Sequence, residues 1–293
     1  MEKPKTIQLF LMDGTVQGRM KATLRNWTGI TYFLPRITLE KSRTREDLKQ
    51  SGVYFLLGRD DDDRPIVYVG QARGRKNDNG VLGRIREHER DVKKGYWTLA
   101  IALVAADDSL GPTEISYLES RFHRWISAAR RYTLMNANEP PAGGVPEEKK
   151  AELDEFMEYS RVVIGAMGYK MFEPVDDSKT VRGGEAGEDL ILRMRGADAR
   201  GRKTSDGFVV LAGSRVVAEE KFTRSAPANA KKNRVKYRGS IGPDMMLTED
   251  VLFSTPSAAA SFVAGASLSG PDSWRDGRGV SLKDLEGSED FRG

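Results

Sequence analysis

GVYFLLGRDDDDRPIVYVG, residues 52–70, carries two short apolar runs, 53–57 and 66–69, on either side of Gly58 and four consecutive aspartates. Short runs rich in Val, Ile, Tyr and Phe, separated by turn residues, predict two β-strands joined as a hairpin. The next segment, 81–93, has a helical pattern in which Arg84 and His88 stand four apart and share one face. Residues 99–104 then read as a buried strand. From Thr113, the expected N-cap, the chain shows its strongest helical period, with Ile115, Leu118, Phe122 and Ala129 in the apolar stripe. Glu119 lies at the margin of that stripe, where a carboxylate needs a partner. The element order is β-β-α-β-α.

Outward from this block, residues 5–35 predict a small β element: Ile7, Leu9 and Leu11 alternate, Asp13-Gly14 supplies a turn, and Met20–Leu24 can pair back. A short helix is expected over 44–50, with Thr44 and Asp47 as a capping box. After the Pro-rich stretch 139–146, a helix is expected over Glu147–Ala166, terminated by Gly168. Residues 174–188 are polar and Gly-containing, as a linker would be. Beyond them, strands are expected at Leu190–Met194 and at 208–211 with an extension to Val217, and a helix opened by Thr255-Pro256 and stopped by Gly265. The expected class is α+β, with a β extension over 1–48, a central domain over 49–173, a linker over 174–188 and a smaller α+β module over 189–293.

Composition narrows the chemistry. The 293 residues include two His and no Cys, which excludes a zinc knuckle, disulfides, Fe–S clusters and a thiol nucleophile. Catalysis must lean on Tyr, Arg, Lys, Asp or Glu, with at most one or two imidazoles to help. The apolar runs are too short for a membrane span or an export signal, so a cytoplasmic protein with no membrane partner is expected. The net charge of +4 conceals an uneven distribution: +6 over residues 1–146, −4 over 147–200, +4 over 201–250 and −2 thereafter. In 221–238 seven residues are cationic and none is acidic. Such a run can neutralise phosphates, and it reads equally as a solvated loop.

Gly52-Val53-Tyr54, Tyr68-Val69-Gly70, Arg84 with His88 in GRIREH, Glu119 in YLESRFH and Asn136 in LMNAN occur in this order. The set resembles the GIY-YIG nuclease family, with Val in place of Ile in both tripeptides, and the family has the same β-β-α-β-α arrangement. The resemblance implies phosphodiester cleavage in DNA, in repair, restriction or control of mobile DNA; a non-catalytic nucleic-acid-binding protein that keeps the fold is the alternative. It also implies roles: Glu119 holding one Mg²⁺ (or Mn²⁺), Arg84 clamping the scissile phosphate, and Tyr54 as general base. Tyr68 would orient water or phosphate, His88 would assist proton transfer, and Asn136 would hydrogen-bond to the site framework. The 16 residues from Tyr68 to Arg84 include the basic insertion RGRKNDNG. There the family often carries Lys, and Arg75 and Lys76 are the two candidates.

Arg73, Arg75 and Lys76 in that insertion, and Lys231, Lys232, Arg234, Lys236 and Arg238 in the second domain, are the expected nucleic-acid contacts. Other signals carry less. The four-Asp loop lacks EF-hand spacing, and His123, four residues after Glu119, matches no ligand the family uses. GADARGRKT, residues 196–204, imitates a P-loop, but Lys203 is out of register and a strand-like GFVVL follows, so no nucleotide cofactor is expected. The C-terminal region, with GFVVLAGS, TPSAAASFVAG and GRGVSLKDLE, resembles a small module of unknown function found appended to such nucleases.

Overall fold

In the computed structural model, which describes residues 3–74, 80–91, 95–174 and 189–289, strands β1 (Ile7–Leu11) and β2 (Met20–Leu24) form a hairpin with Ile7 facing Leu24. β2 pairs with β3 (Gly29–Pro35), and β3 pairs along its whole length with β6 (Trp97–Ala105). β4 (Gly52–Arg59) lies between β6 and β5 (Pro65–Ala72), and the two-residue β7 (Thr133–Leu134) adds a parallel edge to β5. The seven strands run in the order β1-β2-β3-β6-β4-β5-β7. The N-terminal strands thus extend the same sheet that holds residues 52–72.

Both faces of this sheet are covered, which is why β4 and β6 read as near-continuous apolar runs. Val53, Phe55 and Leu57 of β4 pack with Ile115, Leu118 and Phe122 of α2 (Pro112–Ala129) and with Phe156, Met157 and Val163 of α3 (Glu147–Ala166). Tyr54 and Leu56, one residue out of phase, face the other way, onto Val81, Leu82 and Ile85 of α1 (Gly80–Arg90) and onto Leu39 and Leu48. Burying each large aliphatic side chain contributes about 1.5–3 kcal/mol, so the two layers fix the register of β4 firmly.

Local details depart from the sequence expectation in instructive places. Residues 44–50 form no α-helix; the chain makes short 3₁₀ turns at Arg36–Ser42 and Glu46–Lys49. Asp47 is drawn away from capping, because its carboxylate accepts from the Tyr32 hydroxyl, Arg45 and Lys21. α1 stops at Arg90, short of the expected 93. Gly111 takes the N-cap position of α2, with Pro112 at the first turn. α3 has the expected bounds, and Gly168, at φ +90°, follows its end.

The chain divides at Pro174, with Met1–Pro174 in one unit and Val175–Gly293 in the other. The expected linker, apart from Pro174, lies outside the described residues. The second unit holds β8 (Leu190–Met194), β9 (Ala197–Thr204), β10 (Gly207–Val210) and β11 (Val251–Phe253) in the antiparallel order β11-β10-β9-β8. Its helices are α4 (Ala228–Lys236), α5 (Pro256–Ala264), α6 (Gly270–Ser273) and α7 (Leu282–Glu289). Leu192, Phe208 and Phe253 pack against Ala260, Phe262 and Val263 of α5 and against Trp274. The Thr255 side chain caps α5 by accepting from Ala258 N at 3.1 Å, and Gly265 closes it in the left-handed region.

The P-loop look-alike is strand β9. Arg195 and Gly196, both at positive φ, form the two-residue hairpin turn before it. Ala197 and Ala199 alternate inward while Asp198, Arg200 and Arg202 alternate outward. The extension to Val217 is no strand; Arg215 makes isolated bridges to Asp198 and Met246 instead.

Candidate active site

The site is organised by an edge. β5 pairs with β4 from end to end, but on its other side β7 covers only Ile66 and Val67. The ladder is prolonged by Met135 N, which donates to Val67 O at 2.9 Å, and then by a side chain. Asn136 Nδ2 donates to Val69 O at 2.9 Å and Asn136 Oδ1 accepts from Val69 N at 3.0 Å, so one amide stands in for a strand residue. Beyond Val69 no strand pairs with β5 on this side among the described residues. Tyr68 and Gly70 lie on the α1 side, and Gln71 lies on the α2 side.

Tyr54 stands directly across from Gly70 in the β4–β5 register. The absence of a side chain there is a spatial requirement: a Cβ on Gly70 would lie 2.3 Å from Tyr54 Oη and 2.4 Å from Cζ. Gly52 is constrained by backbone in the same way, since its Cβ would meet Leu103 O at 2.2 Å. The glycines of the two tripeptides therefore make room, one for the tyrosine ring and the other for the neighbouring strand.

From α1, His88 is 4% exposed and its Nε2 lies 2.7 Å from Tyr54 Oη. The rings of Tyr54, Tyr68 and His88 pack as a triangle with centroids 5.2–6.3 Å apart. Arg84, one turn earlier, is exposed and ion-pairs with Glu87. From α2, Glu119 is 9% exposed, and its Oε2 accepts from Gln71 Nε2 at 2.9 Å. Gln71 Oε1 in turn accepts from Ser116 Oγ at 3.1 Å.

These groups act on one another electrostatically. Burial pushes the Tyr54 phenol well above its ordinary pKa, aided by Tyr68 and Glu119 and opposed by Arg84. Tyr68 is also raised, by burial and then by Glu119. Burial raises the Glu119 carboxyl against the Gln71 hydrogen bonds and the Arg84 charge. Arg84 thus influences both tyrosines and the carboxylate, although Glu119 and Arg84 come from helices on opposite faces of the sheet.

Gln71 is the member that sequence reasoning missed. A signal exists: it follows Val67 and Val69 at period two on a buried face, and a buried amide requires partners. Gln71→Ala is expected to leave the Glu119 carboxylate without its side-chain donor while the backbone hydrogen bond from residue 71 remains. The carboxylate's titration, followed by carboxyl NMR, should move further upward, and an unchanged titration would show that Gln71 does not hold it.

The other expected site residues distribute unevenly. Arg73 is exposed just past β5, while Arg75 and Lys76 lie outside the described residues. Lys231, Lys232, Lys236 and Arg238 are exposed on and after α4. Arg234 is not a phosphate contact. It is 2% exposed, donates to Phe262 O at 2.9 Å and Val217 O at 2.7 Å, and stacks on Phe222 and Phe262. Burial lowers its pKa to about 10. At the acidic hairpin tip, Asp60 is held by Arg64. His123 is lowered by burial, and its charged neighbours are Glu139 and Arg124. Among the described residues no three His, Asp or Glu side chains gather to hold a metal ion. No helix is long and apolar enough to cross a membrane among the described residues.

No curated protein and no solved structure matches the chain. Residues 190–286, in the second unit, match the family described as a domain of unknown function (DUF4357).

Proposed function

We propose that the chain is a metal-dependent endonuclease of the GIY-YIG type that hydrolyses phosphodiester bonds in DNA. The observation that carries this reading is the packing of Tyr54, Tyr68 and His88 into one cluster, with Tyr54 hydrogen-bonded to His88 and with Arg84 and Glu119 acting on both tyrosines electrostatically.

Each group has a task it can perform. Tyr54 is held protonated, so it serves as a base only if its own proton leaves as it takes one from water. His88 Nε2, at 2.7 Å, is the acceptor for that proton when the imidazole carries its hydrogen on Nδ1. Water oxygen then bonds to phosphorus as the P–O bond to the leaving oxygen breaks. Arg84 presents a planar fork to the phosphate. Its exposed pair with Glu87 is worth about 0–1 kcal/mol, little enough for a phosphate to displace. Tyr68, half-buried beside both rings, orients the water or phosphate, and Asn136 fixes the edge.

The donor set suits Mg²⁺ or Mn²⁺ bound in company with substrate. A buried carboxylate outside any cluster of three or more His, Asp or Glu among the described residues suits an ion that keeps several waters and takes substrate phosphate oxygens. Glu119 would hold it, and the ion would supply Lewis-acid stabilisation of negative charge on the phosphate.

The test is a cleavage screen over supercoiled, branched, damaged and modified DNA with Mg²⁺ and with Mn²⁺. Tyr54→Phe keeps the buried ring and removes the proton path, so the rate on the preferred substrate should fall by about 10²–10⁴-fold. Because Tyr54 works in its protonated form and hands its proton to His88, the wild-type rate should show no alkaline rise that tracks ionisation of the phenol. Cleavage by Tyr54→Phe at the wild-type rate would remove Tyr54 from the reaction. Salt-sensitive DNA binding without cutting in either metal would favour a non-catalytic binding protein on the same fold.

A further inference from the structure

The outward face of the C-terminal sheet carries a cavity of about 360 Å³ whose chemistry is independent of the Tyr54–Glu119 site. β8 and β9 pair so that Arg193 faces Asp198 and Ile191 faces Arg200. Asp198 exchanges backbone hydrogen bonds of 3.1 and 2.8 Å with Arg215, which bridges onward to Met246. Since Leu190, Leu192, Ala197 and Ala199 enter the core, strand parity sends Ile191, Arg193, Asp198 and Arg200 outward together. Arg193, Arg200 and Arg215 therefore line one cavity, with Ile191 and Met246 as its apolar wall.

The arginines are weakly committed. Arg193 meets Asp198 at 3.2 Å and Arg200 meets Asp189 at 3.8 Å, both in exposed pairs that an incoming anion can take over. The Arg215 side chain makes no hydrogen bond or ion pair among the described residues. The floor beneath them is rigid, because Ser214 Oγ accepts from Arg200 N at 3.0 Å and donates to Arg200 O at 3.2 Å.

We propose that this cavity grips the phosphodiester backbone of a DNA strand. Planar guanidinium forks match phosphate oxygens in pairs, and three of them, from β8, β9 and the 211–217 segment, offer an anion seat beside an apolar wall that suits sugar or base. The basic run on α4 was the sequence-level candidate for this task. Its Arg234 is turned into the core, whereas the cavity gathers side chains from β8, β9 and the 211–217 segment.

Binding of labelled single-stranded and duplex DNA to the full chain, measured in EDTA so that cleavage plays no part, decides the matter. Between about 50 and 200 mM salt, Arg200→Ala with Arg215→Ala should flatten the log K against log salt slope by about two and weaken low-salt binding about tenfold. Arg215→Glu, which breaks no side-chain hydrogen bond or ion pair among the described residues, should weaken binding on its own. Equal affinity and slope in both variants would overturn the proposal. So would loss of binding in Lys231→Ala with Lys232→Ala while the arginine variants bind normally. Inorganic phosphate and a mononucleotide form the second arm: saturable binding of either that Arg215→Glu abolishes, with DNA affinity unchanged, would make this a small-anion site and contradict the strand assignment.

Discussion

Glu119→Gln is expected to eliminate DNA cleavage and to stabilise the protein at the same time. Glu119 is 9% exposed and burial raises its pKa, so the folded state resists the charge that the unfolded state accepts freely. A carboxyl raised in the folded state leaves the unfolded chain binding fewer protons once pH passes its ordinary value of 4.5, and stability falls as pH climbs from there through the raised folded value. Glutamine keeps the shape and can still accept from Gln71 Nε2, but it carries no charge. At neutral pH the variant should gain about 1 kcal/mol, seen as a melting temperature higher by roughly 2–4 °C. Cleavage should fall by about 10³-fold or more, because the hard anionic ligand proposed for the metal would be gone. A lower melting temperature would mean that the charged carboxylate makes a net stabilising contact.

Gly70→Ala should strike fold and site together. The new Cβ would sit 2.3 Å from Tyr54 Oη, and the ring has no easy retreat, being fully buried and hydrogen-bonded to His88. Overpacking of this kind costs about 2 kcal/mol, so the denaturant midpoint should fall with the slope unchanged. A shift of the phenol by about 1 Å would also lower the cleavage rate about hundredfold. An unaltered midpoint would show that the ring moves freely, which contradicts a held Tyr54–His88 pair.

The sequence was most legible where local periodicity and burial coincide. The helix Glu147–Ala166 and the strand Leu190–Met194 repeat a period that one buried face dictates, while the hairpin at 52–72 and the capped helix after Thr255 are marked by apolar runs bounded by turn or cap residues. Local signals failed where a distant partner decides. Asp47 abandons a helix cap for Tyr32, and Arg234 leaves a basic run for backbone carbonyls of three other positions. β9 hid inside an apparent phosphate loop because its inward residues are Ala, Ala and Gly, small enough to mask the alternation. At the site, the tyrosines, Arg84, His88 and Glu119 were visible as an ordered set, yet the packing of Tyr54, Tyr68 and His88 beside the β5 edge was not. That edge depends on a two-residue β7 and on Asn136 acting as a strand surrogate, neither of which has a periodic signature. Gln71 went unnoticed for the same reason, since its partners come from a helix 45 and 48 residues away.

The most direct measurement is cleavage of the preferred DNA substrate by wild-type protein and Glu119→Gln, side by side, with Mg²⁺ and with EDTA, and with DNA binding measured on the same preparations. The wild-type protein should cut only with the metal, and Glu119→Gln should bind the DNA yet leave it intact. Cutting by Glu119→Gln at the wild-type rate, or by the wild-type protein in EDTA, would contradict a metal-dependent nuclease centred on Glu119 and Tyr54.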